Sequence, residues 1–210
     1  MHVNVVTFFV LNAMGPGRVR YSLQHLQDQY EKSPDPSHSM LATLIQAFRG
    51  IQALPPKDPK SFFHLAGLHG LPFRGPGTTD PNFWGGYCWH ASVLFPTWHR
   101  SYMLTFENAL RSIDGCQDVT LPFWDETLNL EPPVIPWVLT SPYFPPEGHD
   151  PNPLYSYKLA KGLLDDEVEN ERYRKPAGYQ TVRYPLSGEY HVVAAPAPCY
   201  SLRMLIYVVC

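Results

Sequence analysis

A basic excess, long apolar runs, internal repeats and a dense cysteine framework are all missing from this sequence. Its 16 Lys and Arg are outnumbered by 19 Asp and Glu, for a net charge of −3. That leaves no cationic footprint for nucleic acid or for an anionic membrane surface, and neither partner is expected. No apolar run reaches the ~18–20 residues that a membrane span needs. Four cysteines, Cys88, Cys116, Cys199 and Cys210, are too few and too scattered for a disulfide scaffold in 210 residues. One pair could form, and spacing does not say which. The apolar stretch at residues 5–11 has no Lys or Arg before it, and Leu11-Asn12-Ala13 is a poor cleavage site. Both features read against a secretory leader and favour an intracellular setting.

Hydrophobic residues make up 44 % and aromatics 14 % of the chain, enough for one globular domain with a substantial core. The 23 prolines are about twice the usual share, so much of the chain must run as loops between short elements. Val19, Leu23, Leu26 and Tyr30 recur at helical spacing and predict a first helix over about residues 18–32. Leu41, Leu44, Ile45, Phe48 and Ile51 predict a second, stopped by Pro55-Pro56. A short third is expected over 58–69, closed by Gly70. The fourth is best marked. Thr97 could cap its start and Gly115 close it, and His99, Met103, Phe106, Leu110 and Ile113 form one stripe. Residues 71–87 and 126–153 read as long loops, and Leu159, Leu163 and Val168 predict one more helix. The fold class is mainly α.

Four of the nine histidines fall close together: His64, His69, His90 and His99. Neutral imidazole is a common ligand for copper, zinc, nickel and iron, so such clustering raises the expectation of a metal; ordinary surface or capping histidines are the alternative. Placement favours the metal. His99 lies on the apolar stripe of the fourth helix, and His69 follows Phe62, Leu65 and Ala66 at helical spacing, so both should face inward. Facing helices in a bundle interior are where such sites are built. His64 precedes His69 by five residues, roughly 140° around a helix, and is read as a non-ligand.

These residues carry a family resemblance. Phe62-Phe63-His64-Leu65-Ala66-Gly67-Leu68-His69-Gly70-Leu71-Pro72 resembles the first-copper entry segment of tyrosinases and catechol oxidases. Tyr87-Cys88-Trp89-His90, then Leu94-Phe95-Pro96-Thr97-Trp98-His99-Arg100-Ser101-Tyr102 and Glu107, is similar to the signature of that type-3 copper family, in its fungal branch. Leu121-Pro122-Phe123-Trp124-Asp125 resembles the turn that follows, and a weaker likeness returns over residues 181–188. The resemblance implies a four-helix copper bundle, of which this chain holds the first-copper half, with long Pro-rich loops. It makes His69, His90 and His99 the ligands of one copper ion and joins Cys88 to His90 through a thioether; a buried free thiol is the other reading of Cys88. Asp125 is a candidate acceptor for an imidazole N–H or a loop cap. Arg100 and Glu107 share a helix face near the site, more in a structural than a catalytic role. Phe95, Trp98 and Tyr102 are expected in the core. The implied activity is oxidation of phenols and catechols to o-quinones with O2, and pigment chemistry belongs with it.

That reaction takes two electrons, hence two coppers and three further histidines. Beyond His99 only His149 and His191 remain, and neither belongs to an H-x-x-x-H pair. The expectation is therefore one copper ion here, where the complete family domain has two. Residues 1–17 lack the likeness, 18–188 form the family-like portion, and 189–210 diverge from it, as though the reading frame were left near Gly188. A catalytically dead mononuclear copper-binding or regulatory fragment is the alternative to an oxidase.

Overall fold

The computed structural model describes residues 17–69, 93–124, 135–162 and 175–181. Among these residues the helices are α1 (Leu23–Lys32), α2 (Met40–Ala53), α3 (Phe62–His69), α4 (Phe95–Arg111) and α5 (Trp137–Thr140), with a 3-10 turn at Pro36–His38. Among the described residues there are isolated β-bridges but no strands. No helix among them is long and apolar enough to cross a membrane.

The mainly helical reading holds, and α2 is its centre. Ser39 caps it by accepting a 3.1 Å hydrogen bond from the Ala42 N–H. Leu41, Leu44, Ile45, Ala47, Phe48 and Ile51 are buried along it. Both α3 and α4 pack on α2, as does α1. The helices that carry His69 and His99 are therefore held by a common neighbour. Phe106 of α4 closes the middle of this core, 5.8 Å from Phe48 and 6.1 Å from Phe62, ring centre to ring centre. Ser39→Ala should lower unfolding free energy by about 1 kcal/mol, the usual worth of an N-cap, measurable as a shift in the urea midpoint.

Several boundaries differ from the sequence expectation. The first helix begins at Leu23, because residues 21–23 pair with another segment instead. Leu23 N–H donates to the Phe123 carbonyl at 2.8 Å, and Phe123 N–H donates to the Tyr21 carbonyl at 3.1 Å. Ser22 then caps α1 through the His25 N–H. The third helix starts four residues late, after a turn in which Asp58 accepts the Lys60 N–H. Thr97 does not cap the fourth helix. It lies inside the first turn and donates its hydroxyl to the Leu94 carbonyl, in a helix that starts at Phe95 with Pro96 next. Gly115 turns the chain with φ +79, but beyond the Ser112 that ends α4.

The Pro-rich passage is not all loop, since α5 lies in it. Side chains satisfy its irregular backbone, as buried polar groups require. Gln27 accepts the Val138 N–H, buried Asn152 donates to the Val138 and Ser141 carbonyls, and Arg49 donates to those of Phe144 and Pro151. The helix expected from Leu159 does not begin there. Leu159 exchanges backbone hydrogen bonds with Gly178 and Tyr179; Leu163 and Val168 lie outside the described residues.

Cys116 is a buried free thiol, and burial, with Asp114 beside it, pushes its pKa up. The other three cysteines lie outside the described residues.

Candidate metal centre

His69 is the last residue of α3 and is buried. Leu65, one turn earlier, is fully buried, and that periodicity turns the His69 ring inward. His99 is in the second turn of α4, half-buried. Packing of both helices on α2 brings the rings together: His69 Nε2 and His99 Nε2 are 3.1 Å apart.

The tautomer of His99 follows from its other nitrogen. His99 Nδ1 is 2.8 Å from the Phe95 carbonyl oxygen, which can only accept, so the ring proton sits on Nδ1. In the neutral ring, the lone pair is then on Nε2, the nitrogen on the His69 side. This is the arrangement in which an imidazole is held by a carbonyl on one nitrogen and ligates through the other.

The separation fits a shared ion. Two imidazole nitrogens each about 2.0–2.1 Å from one metal, at a tetrahedral angle, stand roughly 3.3–3.4 Å apart. The observed 3.1 Å between the two Nε2 atoms is within a few tenths of an ångström of that spacing. Aromatic rings wall the pair. Phe95 lies 4.1 Å from His99 between ring centres, Trp98 is 5.0 Å from His99 and 5.7 Å from His69, and Tyr102 is 5.5 Å from His69. Tyr102 is buried as expected of a core residue, whereas Phe95 and Trp98 are half-buried at the rim.

The remaining candidates divide. His90, Cys88 and Asp125 lie outside the described residues, and among those described no three ligating side chains converge. Arg100 is exposed. Glu107 is two turns further along α4, and both its oxygens go to arginines: Oε2 to Arg20 at 2.6 Å and Oε1 to Arg111 at 2.6 Å. Its carboxylate thus anchors α4 to residue 20 of the N-terminal segment, at a distance from the imidazoles. His64 has its N–H on the Ser61 hydroxyl and sits on another side of α3. His149 is exposed, its ring 6.4 Å from that of Tyr143.

Sequence reasoning missed three contributors. The Phe95 carbonyl was invisible because backbone acceptors leave no residue signature, although its position one turn before His99 was a usable hint. Arg20 had no signal, being 87 residues from Glu107. Arg111, four residues after Glu107 in the same helix, could have been found from ion-pair spacing.

Residues 59–191 match the family model described as the common central domain of tyrosinase. A tyrosinase of Hahella sp. (strain CCB-MM4) is 50 % identical over 180 residues, which cover 81 % of this chain and 32 % of that protein. The tyrosinase of Aspergillus oryzae (strain ATCC 42149 / RIB 40) is 40 % identical over 189 residues, 89 % of this chain and 33 % of the relative. Among solved structures, a tyrosinase from Burkholderia thailandensis at low pH superposes with a TM-score of 0.67 at 46 % identity, covering 82 % of this chain and 34 % of that one. The likeness is thus not confined to fungal proteins, and the chain spans about a third of the length of the relatives it matches.

Proposed function

Because this chain belongs to the tyrosinase family, we propose that it forms the first-copper half of a phenol- and catechol-oxidising centre, with His69, His90 and His99 as ligands. The observation that carries the proposal is the facing pair of Nε2 atoms at 3.1 Å, with the other nitrogen of His99 held by the Phe95 carbonyl. When bound, copper supplies one-electron redox chemistry, and two such ions together match the two-electron oxidation of a phenol or catechol by O2.

The chain's own residues do the rest. The Phe95 carbonyl holds the His99 proton on Nδ1, which leaves Nε2 as the ligating nitrogen of that tautomer. The rings of Phe95, Trp98 and Tyr102 exclude water on one side of the histidines. Such a low-dielectric, flat-walled edge suits the ring of a phenolic substrate. Cys88, two residues before His90, is the proposed thioether partner that fixes that ligand, and Asp125 the proposed acceptor for an imidazole N–H.

Histidine supply sets the stoichiometry. Only His149 and His191 follow His99, and His149 is exposed, so a second three-imidazole site is not provided by these 210 residues. The 210-residue chain by itself is accordingly a mononuclear copper binder without catechol oxidase activity, and oxidation needs a second half-site from elsewhere. Copper per folded chain, by elemental analysis after Cu(II) loading and removal of excess, is expected to be about one. No copper would defeat the assignment of the ligands, and two would defeat the half-site account.

A further inference from the structure

Resting on that copper-site reading, we propose that Tyr102 is a positioning residue that sets the separation of His69 and His99 through its hydroxyl. The two histidines sit on different helices, and both helices lean on α2. Something must fix their mutual approach to within a few tenths of an ångström, because ligand geometry tolerates little more.

Tyr102 is placed to do it. It lies three residues after His99, on nearly the same side of α4. Its buried hydroxyl donates to the Leu65 carbonyl of α3 at 3.1 Å. Leu65 is four residues before His69, so its carbonyl is also the acceptor that an α-helix offers to the His69 N–H. A carbonyl has two lone pairs and serves both. The Tyr102 hydroxyl thereby grips the closing turn of α3, the turn that carries His69 and, as a helix end, is the part most prone to fray.

The ring of Tyr102 is itself clamped. It stacks on Trp98 at 5.0 Å and 17° and stands 5.5 Å from the His69 ring. One side chain therefore spans the gap: covalently part of the His99 helix, hydrogen-bonded to the His69 helix, and packed against the His69 imidazole. Nothing in the chemistry requires it to touch metal or substrate, so its role is through the histidines.

The test compares Tyr102→Phe with Tyr157→Phe. Tyr157 is also buried, and its ring packs on Phe62 at 4.6 Å. Both variants remove a phenol hydroxyl from a buried ring, one beside the histidines and one away from them. Expected for Tyr102→Phe are a roughly tenfold loss of Cu(II) affinity in chelator competition, the scale of a lost supporting partner, and a shifted Cu(II) EPR hyperfine splitting. Tyr157→Phe should leave both unchanged at a similar melting temperature. Wild-type affinity and spectrum in Tyr102→Phe would overturn the proposal. A wild-type protein that takes up no copper defeats the copper reading instead. Imidazole 15N NMR of the metal-free protein then decides for Tyr102: a broken His69–His99 contact in Tyr102→Phe supports its role, and an intact one refutes it.

Discussion

Replacing His99 by alanine should weaken copper binding by more than about 100-fold, beyond what losing a partner outside the ligand set costs a metal site. The helical far-UV spectrum should survive, because the hold of α4 on the core rests on Tyr102, Phe106, Ala109 and Leu110, all buried further along the helix. His69→Ala should behave alike, since its Nε2 is the other half of the 3.1 Å pair. His64→Ala is the control. It shares α3 with His69 but sits roughly 140° away around the helix, and should bind copper as the unmodified protein does. Chelator competition on the three variants gives the answer. A His99→Ala protein with undiminished affinity would refute the ligand assignment, and a large loss in His64→Ala would show that the wrong histidine of α3 had been chosen.

Glu107→Ala should cost about 3 kcal/mol of folding stability. The Glu107 side chain is only 4 % exposed and that of Arg111 9 %, so deleting the carboxylate strands a nearly buried guanidinium. Its remaining contacts, Asn108 and a 3.5 Å approach to the Val119 carbonyl, supply no negative charge. Arg20 matters less, because at 45 % exposure water screens its pair with Glu107. Urea unfolding measures the loss, and a change under 1 kcal/mol would rule out a stranded charge. Glu107→Gln separates anchoring from metal support. If the carboxylate acts only on arginines, copper affinity should hold while stability falls, whereas a parallel drop in affinity would place Glu107 in the metal's supporting shell after all.

Much of the frame was legible because it is local. The run from Leu41 to Ile51 repeats at helical spacing, and α2 lies there with those residues buried. Phe106 and Leu110 follow from the same rule in α4. The rule weakens wherever backbone groups find partners elsewhere. Val19 fits the period of α1, yet residue 19 stays outside the helix because the segment just after it pairs with Phe123. Leu159 fits a helical period too, but Gly178 and Tyr179 take its backbone hydrogen bonds. The cap expected at Thr97 failed because the helix already starts at Phe95, after Leu94 and without a side-chain cap.

By itself the sequence determined the family, through a motif in which residue identity and spacing are the signal, and with it the inward faces of His69 and His99. A helix period fixes which side chains look the same way, and no more than that. Tertiary structure alone decided that two histidines thirty residues apart meet nitrogen to nitrogen, that the Phe95 carbonyl holds the other nitrogen of His99, that Arg20 reaches Glu107, and that Tyr102 ties one histidine helix to the other. Each of those contacts depends on how α3 and α4 settle against α2. That settling is governed by the close packing of buried side chains such as Phe48, Phe62 and Phe106, which no local pattern encodes.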